Sequence, residues 1–341
     1  MKRTFHQSRK LLIGFLLLFI PLMVISFYKI DYSFTAPGFN DEINYFIVIE
    51  DGYDSNSTFM TTSVIVMDRI TITQYLLGKI ESNVTVEEFP EIYKDLDLDD
   101  LNTMGYLMKD DSLATSLIVG VENAGFNITY ETYLTIYMTL DFLTSDSLEL
   151  GDKILEVNGS TDLETTIDEL ECGSTVEFKI LRGTEEMIVH ADKNIQDDGS
   201  CPMGIYLYDF TEILDSDIEY SFIDNNTGGP SGGLMQALYV YYELTESDFE
   251  FGLRVAGTGT IDPLGNVGPI GGVRQKIITA SLNNIDVFFI PHLSDDADDN
   301  YIEALEVYNT LDTDMELVGV SSFLEALEYL QALEGGELND W

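Results

Sequence analysis

The stretch NTGGPSGGL, residues 226–234, places four glycines and a proline around one serine, Ser231. Gly, Pro, Asn and Ser are the common turn formers, so a surface turn is the simplest interpretation. From Leu234, however, the chain runs LMQALYVYYEL, without Gly or Pro and almost without charge, which predicts a buried helix. Ser231 is therefore expected where a glycine-lined loop meets the start of a helix.

A helix start is a favourable place for a nucleophilic serine. The first N–H groups of a helix lack partners within it and the helix dipole is positive there, so a nearby anionic oxygen is stabilised. Glycines also let a peptide backbone approach closely. A serine in such a place still needs a base to take its proton.

A candidate base lies in GPIGGVRQKIITASL, residues 268–282. A helix from Gly272 onward would place Val273, Lys276, Ile277 and Ala280 on one buried stripe, and Lys276 is the charge on that stripe. A lysine there can simply extend its ammonium into water. If the ammonium is held inside, desolvation lowers its pKa and the neutral amine becomes a general base.

Histidine and cysteine usage gives little support to other chemistry. His6, His190 and His292 are the only histidines, and Cys172 and Cys201 the only cysteines, with no metal-ligand spacing among them. We therefore predict no metal and no other cofactor. Two thiols permit a disulfide outside the cytoplasm without establishing one. A Ser-His hydrolase that uses His292 stays as an alternative.

Charge divides the 341-residue chain into a short basic start and a long acidic body. The net charge is −45, from 16 Lys plus Arg against 61 Asp plus Glu, yet residues 1–40 hold five basic residues and one acidic residue. Such a body would repel nucleic acid and anionic lipid, so no nucleic-acid partner is expected. A strongly solvated surface is the favoured explanation of the acidity, and life at high salt is the alternative.

The apolar stretch Leu11–Phe27 is about long enough to cross a bilayer. Four basic residues precede it, so the positive-inside rule places the N-terminus in the cytoplasm and the body outside it. A cleaved signal peptide would give the same topology. Because no clear small-x-small cleavage site follows, we favour an uncleaved single-pass anchor in the cell membrane.

Between this anchor and the glycine-rich loop, the sequence is first mixed and then rich in β-strand patterns. In residues 31–120, NYFIVIE and TTSVIVM are expected to be strands that complete a later sheet. The apolar spacing of residues 112–126 predicts a helix that ends at Gly125. In residues 121–196, the strand-like LELGDKILEVNG, the helical TTIDEL and the strand-like STVEFKILRGTEEMIVHA follow one another.

The order of these pieces resembles a PDZ domain, in which a short helix lies beside a groove that binds chain ends by strand addition. The family's carboxylate-binding loop would fall in DFLTSDS, residues 141–147, where the match is poor. A β-rich spacer is the alternative interpretation of this unit.

Residues 200–335 alternate strand and helix patterns, which favours a layered α/β domain. In this unit GGPSGGL and GTGTIDPLGNVGPIGGVRQKI resemble the peptidase domain of Lon-type Ser-Lys proteases, and the resemblance extends from about Gly204 to Leu333. It implies that Ser231 is the nucleophile, that Lys276 is the base, and that Thr258 helps to orient them. Gly232 replaces the family's commoner alanine, a change expected to add only flexibility.

The whole chain is similar to bacterial Lon-like proteases that have one N-terminal membrane anchor, a PDZ domain and a Lon peptidase domain. The predicted parts are a cytoplasmic tail, a transmembrane helix, a juxtamembrane region, a PDZ-like domain and a peptidase domain, at residues 1–10, 11–30, 31–120, 121–196 and 200–335. No GxxxxGK[ST] loop for ATP is present, because the Gly78-Lys79 pair is followed by Ile80. The resemblance also implies a ring-forming homo-oligomer.

The predicted fold is thus α/β: a Lon-type peptidase domain of α and β layers, preceded by a β-rich PDZ-like domain and an N-terminal transmembrane helix. The predicted function is an ATP-independent serine endopeptidase that cleaves peptides or unstructured protein segments outside the cytoplasm. The alternative is a non-catalytic PDZ-containing scaffold with an inactive Lon-like domain.

Overall fold

The computed structural model of the protein describes residues 2–53, 57–140, 148–196, 199–246 and 252–334. In the N-terminal helix, side chains are described from Ile13 onward. The expected carboxylate-binding loop of the PDZ-like unit, residues 141–147, lies outside these ranges.

Strands predominate between residues 128 and 222, and helices and strands alternate from residue 267 to the end of the described chain. The helices are α1 (Lys2–Phe27), α2 (Ile72–Gly78), α3 (Leu98–Asn123), α4 (Leu163–Asp168), α5 (Gly233–Leu244), α6 (Val273–Leu282), α7 (Asn300–Tyr308) and α8 (Phe323–Glu334). The strands are β1 (Tyr32–Glu42), β2 (Ile47–Ile49), β3 (Thr58–Met67), β4 (Thr85–Glu88), β5 (Ile128–Thr139), β6 (Lys153–Val157), β7 (Thr175–Arg182), β8 (Glu185–Asp192), β9 (Ile205–Ser216), β10 (Tyr220–Phe222), β11 (Arg254–Gly257), β12 (Thr260–Ile261), β13 (Val267–Gly268), β14 (Val287–Pro291) and β15 (Glu316–Val320).

A six-stranded sheet of order β15-β14-β11-β3-β1-β4 forms the centre of the larger unit. Strands β3, β11, β14 and β15 are parallel neighbours, and β1 runs antiparallel to both β3 and β4. Every residue of β14, VFFIP, is buried, as is typical of parallel strands with helices on both faces. Strands β1, β3 and β4 come from residues 31–120, so the expectation that this segment completes a later sheet is confirmed for TTSVIVM, which lies in β3. It is wrong for NYFIVIE, whose strand β2 follows a 3₁₀ turn and pairs with β10 in a separate two-stranded sheet.

Helices cover both faces of this sheet. Successive strand residues point to opposite faces, and here Phe59 packs in a core with α5 and α8 whereas Met60 packs in a second core with α6 and α7. Val287 and Phe288 divide between the two cores in the same way. The predicted α/β class is confirmed, and helices α5 and α6 lie on opposite faces of one sheet.

The smaller unit is a five-stranded antiparallel sheet of order β8-β7-β6-β5-β9 with the short helix α4. Its core contains Ile136, Ile154 and Phe178. Strand β9, at the edge of this sheet, follows the polar segment around residue 200. It pairs with β5 along almost its full length, so it belongs to the five-stranded sheet and not to the six-stranded one. A disulfide joins Cys172 and Cys201 in this unit.

Helix α3 begins earlier than the apolar pattern of residues 112–126 indicates. The Asp97 carboxylate accepts hydrogen bonds from the N–H groups of Asp99 and Asp100, and the Asp100 side chain returns to the Asp97 N–H. This capping box, with acidic groups at the positive end of the helix dipole, stabilises a start at Leu98. The predicted end is correct to within two residues, since Gly125 has a φ of +88° just beyond the helix.

Helix α1 covers the apolar stretch for which the sequence predicts a membrane anchor. In the part of the chain that the structure describes, no helix combines the length and apolar character needed to cross a bilayer. The transmembrane helix is therefore not confirmed.

Candidate active site

Ser231 lies two residues before the first residue of α5, in a loop that rests on α3. The Gly229 N–H donates to the carbonyl oxygen of Gly105 at 2.8 Å, with Gly229 in the left-handed region at φ +91°. One residue later, the Pro230 carbonyl accepts from Ser112 Oγ at 3.0 Å. Glycine is needed where the backbone takes a positive φ, so the glycine-rich sequence fixes the loop that presents the serine.

Lys276 reaches Ser231 from the opposite side of the sheet. The predicted stripe on α6 is confirmed, because Val273, Lys276, Ile277 and Ala280 are all buried. Lys276 Nζ lies 2.8 Å from Ser231 Oγ. Lys276 itself is only 2% exposed. Burial lowers the pKa of Lys276 to about 7, because the charged form loses its hydration.

Thr258 connects the two residues. Its hydroxyl accepts a hydrogen bond from Lys276 Nζ at 2.7 Å and donates to the Ser231 carbonyl at 3.0 Å. The Gly259 N–H donates to the same carbonyl at 2.8 Å. Thr258 is fully buried at the end of β11, so its hydroxyl is held in place and orients both the amine and the serine backbone.

The backbone around Ser231 offers donors for an anionic oxygen. Among the described residues, the N–H groups of Ser231 and Gly232 donate to no acceptor in the chain. Both residues line the cleft in front of α5, at the positive end of that helix. Backbone N–H groups with this placement can stabilise the oxyanion of a tetrahedral intermediate.

The cleft that contains Ser231 has a volume of about 790 Å³, and we refer to it as the active-site cleft. Residues 61–66 of β3 form one wall, and the loop 226–232 and Gly271-Gly272 form others. Strand β3 pairs with β11 only as far as Thr61. Within the described chain, residues 62–67 of β3 pair with β1 on one side and have no strand partner on the other. An extended peptide can form backbone hydrogen bonds with such an edge.

Gly232 has a more definite role than added flexibility. A Cβ atom at this position would lie 2.9 Å from Gln236 Nε2 and 2.9 Å from Thr61 Oγ1, which is too close without a shift of one of them. Its φ of −88° is open to any residue, so backbone conformation does not require glycine. The glycine instead makes room for two polar side chains beside Ser231.

Three polar residues that support the nucleophile were missed in the sequence. Gln236 is buried one turn into α5, and its Oε1 lies 3.2 Å from Ser116 Oγ and 3.4 Å from Ser112 Oγ. Both serines are buried on α3. The only signal for this network is that Gln236 interrupts the apolar start of the helix, because its partners are more than a hundred positions away in sequence.

Among the described residues that line the active-site cleft, His292 is absent. Its Nδ1 is 3.1 Å from Asp299 Oδ1 and its ring packs against Tyr301. Among the described residues, the side chain in contact with Ser231 Oγ is that of Lys276. The geometry therefore favours the lysine over the histidine as the base.

The comparison with known families agrees with this geometry. Residues 225–332 match the Lon protease (S16) C-terminal proteolytic domain. This Lon-type domain holds Ser231, Thr258 and Lys276 and makes up about a third of the chain. The match supports a serine peptidase of the Lon type. No match to the chain was found among curated proteins.

The Lon-type domain does not contain its whole sheet. Strands β1, β3 and β4 lie outside the matched residues and nevertheless complete the six-stranded sheet. Residues of β3 also form a wall of the active-site cleft. The N-terminal part of the chain therefore contributes directly to the site.

Proposed function

We propose that the protein is a membrane-anchored, ATP-independent serine endopeptidase with Ser231 as nucleophile and Lys276 as general base. The observation that carries this proposal is the 2.8 Å hydrogen bond between Nζ of the buried Lys276 and Ser231 Oγ in the active-site cleft. With a pKa of about 7, roughly half of the Lys276 side chains are neutral at neutral pH. A neutral amine has the lone pair that a general base needs.

In the acylation step, Lys276 takes the proton of the Ser231 hydroxyl while Ser231 Oγ attacks the carbonyl carbon of the scissile bond. The N–H groups of Ser231 and Gly232 are placed to hold the oxyanion that forms. The Lys276 ammonium then gives its proton to the departing amine, which leaves an ester between the substrate and Ser231. Lys276 is neutral again at the end of this step.

In the deacylation step, Lys276 takes a proton from a water molecule that attacks the ester. The second tetrahedral intermediate uses the same backbone donors, and its collapse returns the proton to Ser231 Oγ. Thr258 holds the amine in one position through both steps, because it accepts one N–H of Lys276. One lysine therefore serves as base and acid in turn.

We propose peptides and unstructured protein segments as substrates. The unpaired edge of β3 beside Ser231 suits an extended chain. The sequence contains no phosphate-binding loop, which favours proteolysis that does not use ATP. Under this proposal the PDZ-like unit presents a chain end or an extended segment to the cleft, and the peptidase assembles as a homo-oligomer.

The proposed location is the outer side of the cell membrane, with the N-terminus in the cytoplasm. The apolar stretch Leu11–Phe27, preceded by basic residues, supports this orientation. The Cys172–Cys201 disulfide is of the kind that persists in oxidising compartments. Cell fractionation followed by protease treatment of intact cells tests it: the acidic body should be digested from outside while it sediments with membranes.

The activity is tested with the full chain in detergent, an unfolded casein substrate and no ATP. Wild type should cleave the substrate, and Ser231→Ala and Lys276→Met should not, with cleavage reduced at least about a thousandfold. Ser221→Ala removes an exposed hydroxyl on β10 and serves as the matched control, with activity like that of wild type. Thermal melting shows whether each variant is folded.

A fluorophosphonate probe that reacts with activated serines provides a second readout. It should label wild type and the Ser221→Ala control and leave Ser231→Ala unlabelled. If all folded variants, including wild type, neither cleave casein nor react with the probe, the peptidase proposal is wrong and the scaffold alternative gains support.

A further inference from the structure

A second buried lysine, Lys109, lies at the active-site cleft. It is on α3, only 4% exposed, and lines both this cleft and a neighbouring cleft of about 530 Å³ beside the five-stranded sheet. Among the described residues that line the active-site cleft, the charged side chains are Asp41, Lys109 and Lys276. The mechanism above makes no use of Lys109.

The partners of the Lys109 ammonium are weak. Its Nζ lies 3.4 Å from the Asn225 carbonyl and 3.6 Å from Asp110 Oδ1, and the face of Tyr106 is 5.4 Å away. The Asp110 side chain is 69% exposed, so water competes for it. Within the described chain Lys109 has no other ion pair. A buried ammonium needs close, well-aligned acceptors, and among the described residues Lys109 has one long hydrogen bond and one long ion pair.

Lys109 is held against the loop that presents the nucleophile. Asn225, its carbonyl partner, is six positions before Ser231 in sequence, and the same loop is tied to α3 through the Gly229–Gly105 hydrogen bond. An extended peptide rises about 3.3 Å per residue. When a peptide binds with its scissile bond at Ser231, the side chains of substrate residues a few positions away therefore come near Lys109.

We propose that Lys109 binds a carboxylate of the substrate a few residues from the scissile bond. This proposal rests on the proposed peptidase function and adds its substrate class. The carboxylate belongs to an Asp or Glu side chain or to the C-terminus of the substrate, since both offer the same two oxygen acceptors. In a body of strongly negative charge, the Lys109 ammonium gives an acidic substrate an attractive position in the cleft.

The test uses fluorogenic peptides and the full chain. One Glu is moved through successive positions on both sides of the cleaved bond, each peptide has a matched Gln version, and each is made with a free and an amidated C-terminus. For wild type we expect kcat/KM to be about tenfold higher for Glu than for Gln at one position, or for the free acid than for the amide. The arm that shows the preference identifies the source of the carboxylate.

Variants then assign the preference to Lys109. Lys109→Met should bring the Glu-to-Gln ratio, or the acid-to-amide ratio, close to one, and Lys109→Arg should keep most of it, since both Lys and Arg carry a cation. Lys109→Glu should reverse it in favour of a Lys-containing peptide. Lys79→Met, at the end of α2, is the control, and its ratio should equal that of wild type.

Binding separates the failure of this proposal from that of the peptidase function. Fluorescence anisotropy with the folded Ser231→Ala chain measures the same peptide pairs without turnover, and the same preference is expected. Equal affinity and equal kcat/KM for every pair would overturn the carboxylate site and leave the peptidase standing. A preference in binding with no cleavage by wild type would instead overturn the peptidase and keep the site.

Discussion

Two lysines are buried at the same cleft, and their surroundings differ in one respect. Lys276 contacts the neutral hydroxyls of Ser231 and Thr258, whereas Lys109 faces a backbone carbonyl and the carboxylate of Asp110. Neutral hydroxyls do little to offset the hydration that a buried charge loses, and the contacts of Lys109, at 3.4 Å and 3.6 Å, leave its ammonium open to a further acceptor. Burial alone therefore does not define the role of a lysine; the groups around its nitrogen do.

Exchange of each lysine for arginine should produce the largest difference. Lys276→Arg should lower kcat/KM at least about a thousandfold, because a guanidinium does not lose its proton and cannot act as a base. Lys109→Arg keeps a cation and should retain most of the preference for a carboxylate. The measurement is kcat/KM on the Glu and Gln peptides, with melting curves for both variants. Activity of a folded Lys276→Arg chain near the wild-type level would remove Lys276 from the mechanism.

Stability should reveal the cost of burying Lys276. Its pKa is about 7 in the folded chain and about 10.4 in an unfolded one. Between these values the unfolded state binds more protons, so the contribution of Lys276 to stability rises with pH through this window. Below pH 7 the full penalty applies, on the order of 5 kcal/mol.

The variant Lys276→Met removes this penalty. It should be more stable than wild type at pH 6, and the difference should shrink as the pH approaches 10. Urea unfolding of both chains across this range provides the measurement, with the Ser231→Ala chain as a control that keeps the lysine. A difference that does not change with pH would show that Lys276 has the same pKa in both states.

The pH dependence of activity should follow the same group. On a Gln peptide with an amidated C-terminus, which carries no carboxylate for Lys109, kcat/KM should rise about tenfold per pH unit below pH 7 and level off above it. The physical reason is the growing fraction of neutral Lys276. Circular dichroism over the same range excludes unfolding as the cause. A profile that is flat from pH 5 to pH 8 would contradict a base with this pKa.

Loss of the Thr258 hydroxyl should have the smallest of these effects. Thr258→Val keeps the shape of the side chain and removes the acceptor for Lys276 and the donor to the Ser231 carbonyl. We expect kcat to fall about tenfold with little change in KM, because the amine is less well oriented and substrate contacts remain. Thr258→Ser should restore most of the rate. The Glu-to-Gln ratio set by Lys109 should not change, and a change would show that the two lysines are coupled.

Much of the site was predictable because its signals are local. The glycine-rich loop before an apolar run predicts Ser231 at a helix start, and the apolar repeat of α6 predicts which face of that helix is buried. Both follow from backbone preferences within a few residues. The juxtaposition of Ser231 with Lys276 came from a resemblance, since nothing in the spacing of two residues 45 positions apart requires them to meet.

Other parts of the fold depend on pairings that no local pattern encodes. Strand β9 has an ordinary strand pattern, and only its pairing with β5 assigns it to the five-stranded sheet. The early start of α3 was missed because its signal is a capping box in an acidic stretch and not an apolar repeat. The role of Gly232 is not readable from its neighbours in sequence, because Thr61, which a Cβ atom there would crowd, approaches it from a distant strand.

By itself the sequence determined the local features: the turn at the glycines, the helices that follow, and the burial of one face of α6. Only the tertiary structure decided that Lys276 meets two hydroxyls, that Lys109 meets Asn225 from 116 positions away, and that β3 forms a wall of the cleft. The physical reason is the distance along the chain over which each kind of interaction acts. Dihedral preference and periodicity act between near neighbours, whereas desolvation and charge depend on every atom that folding brings close.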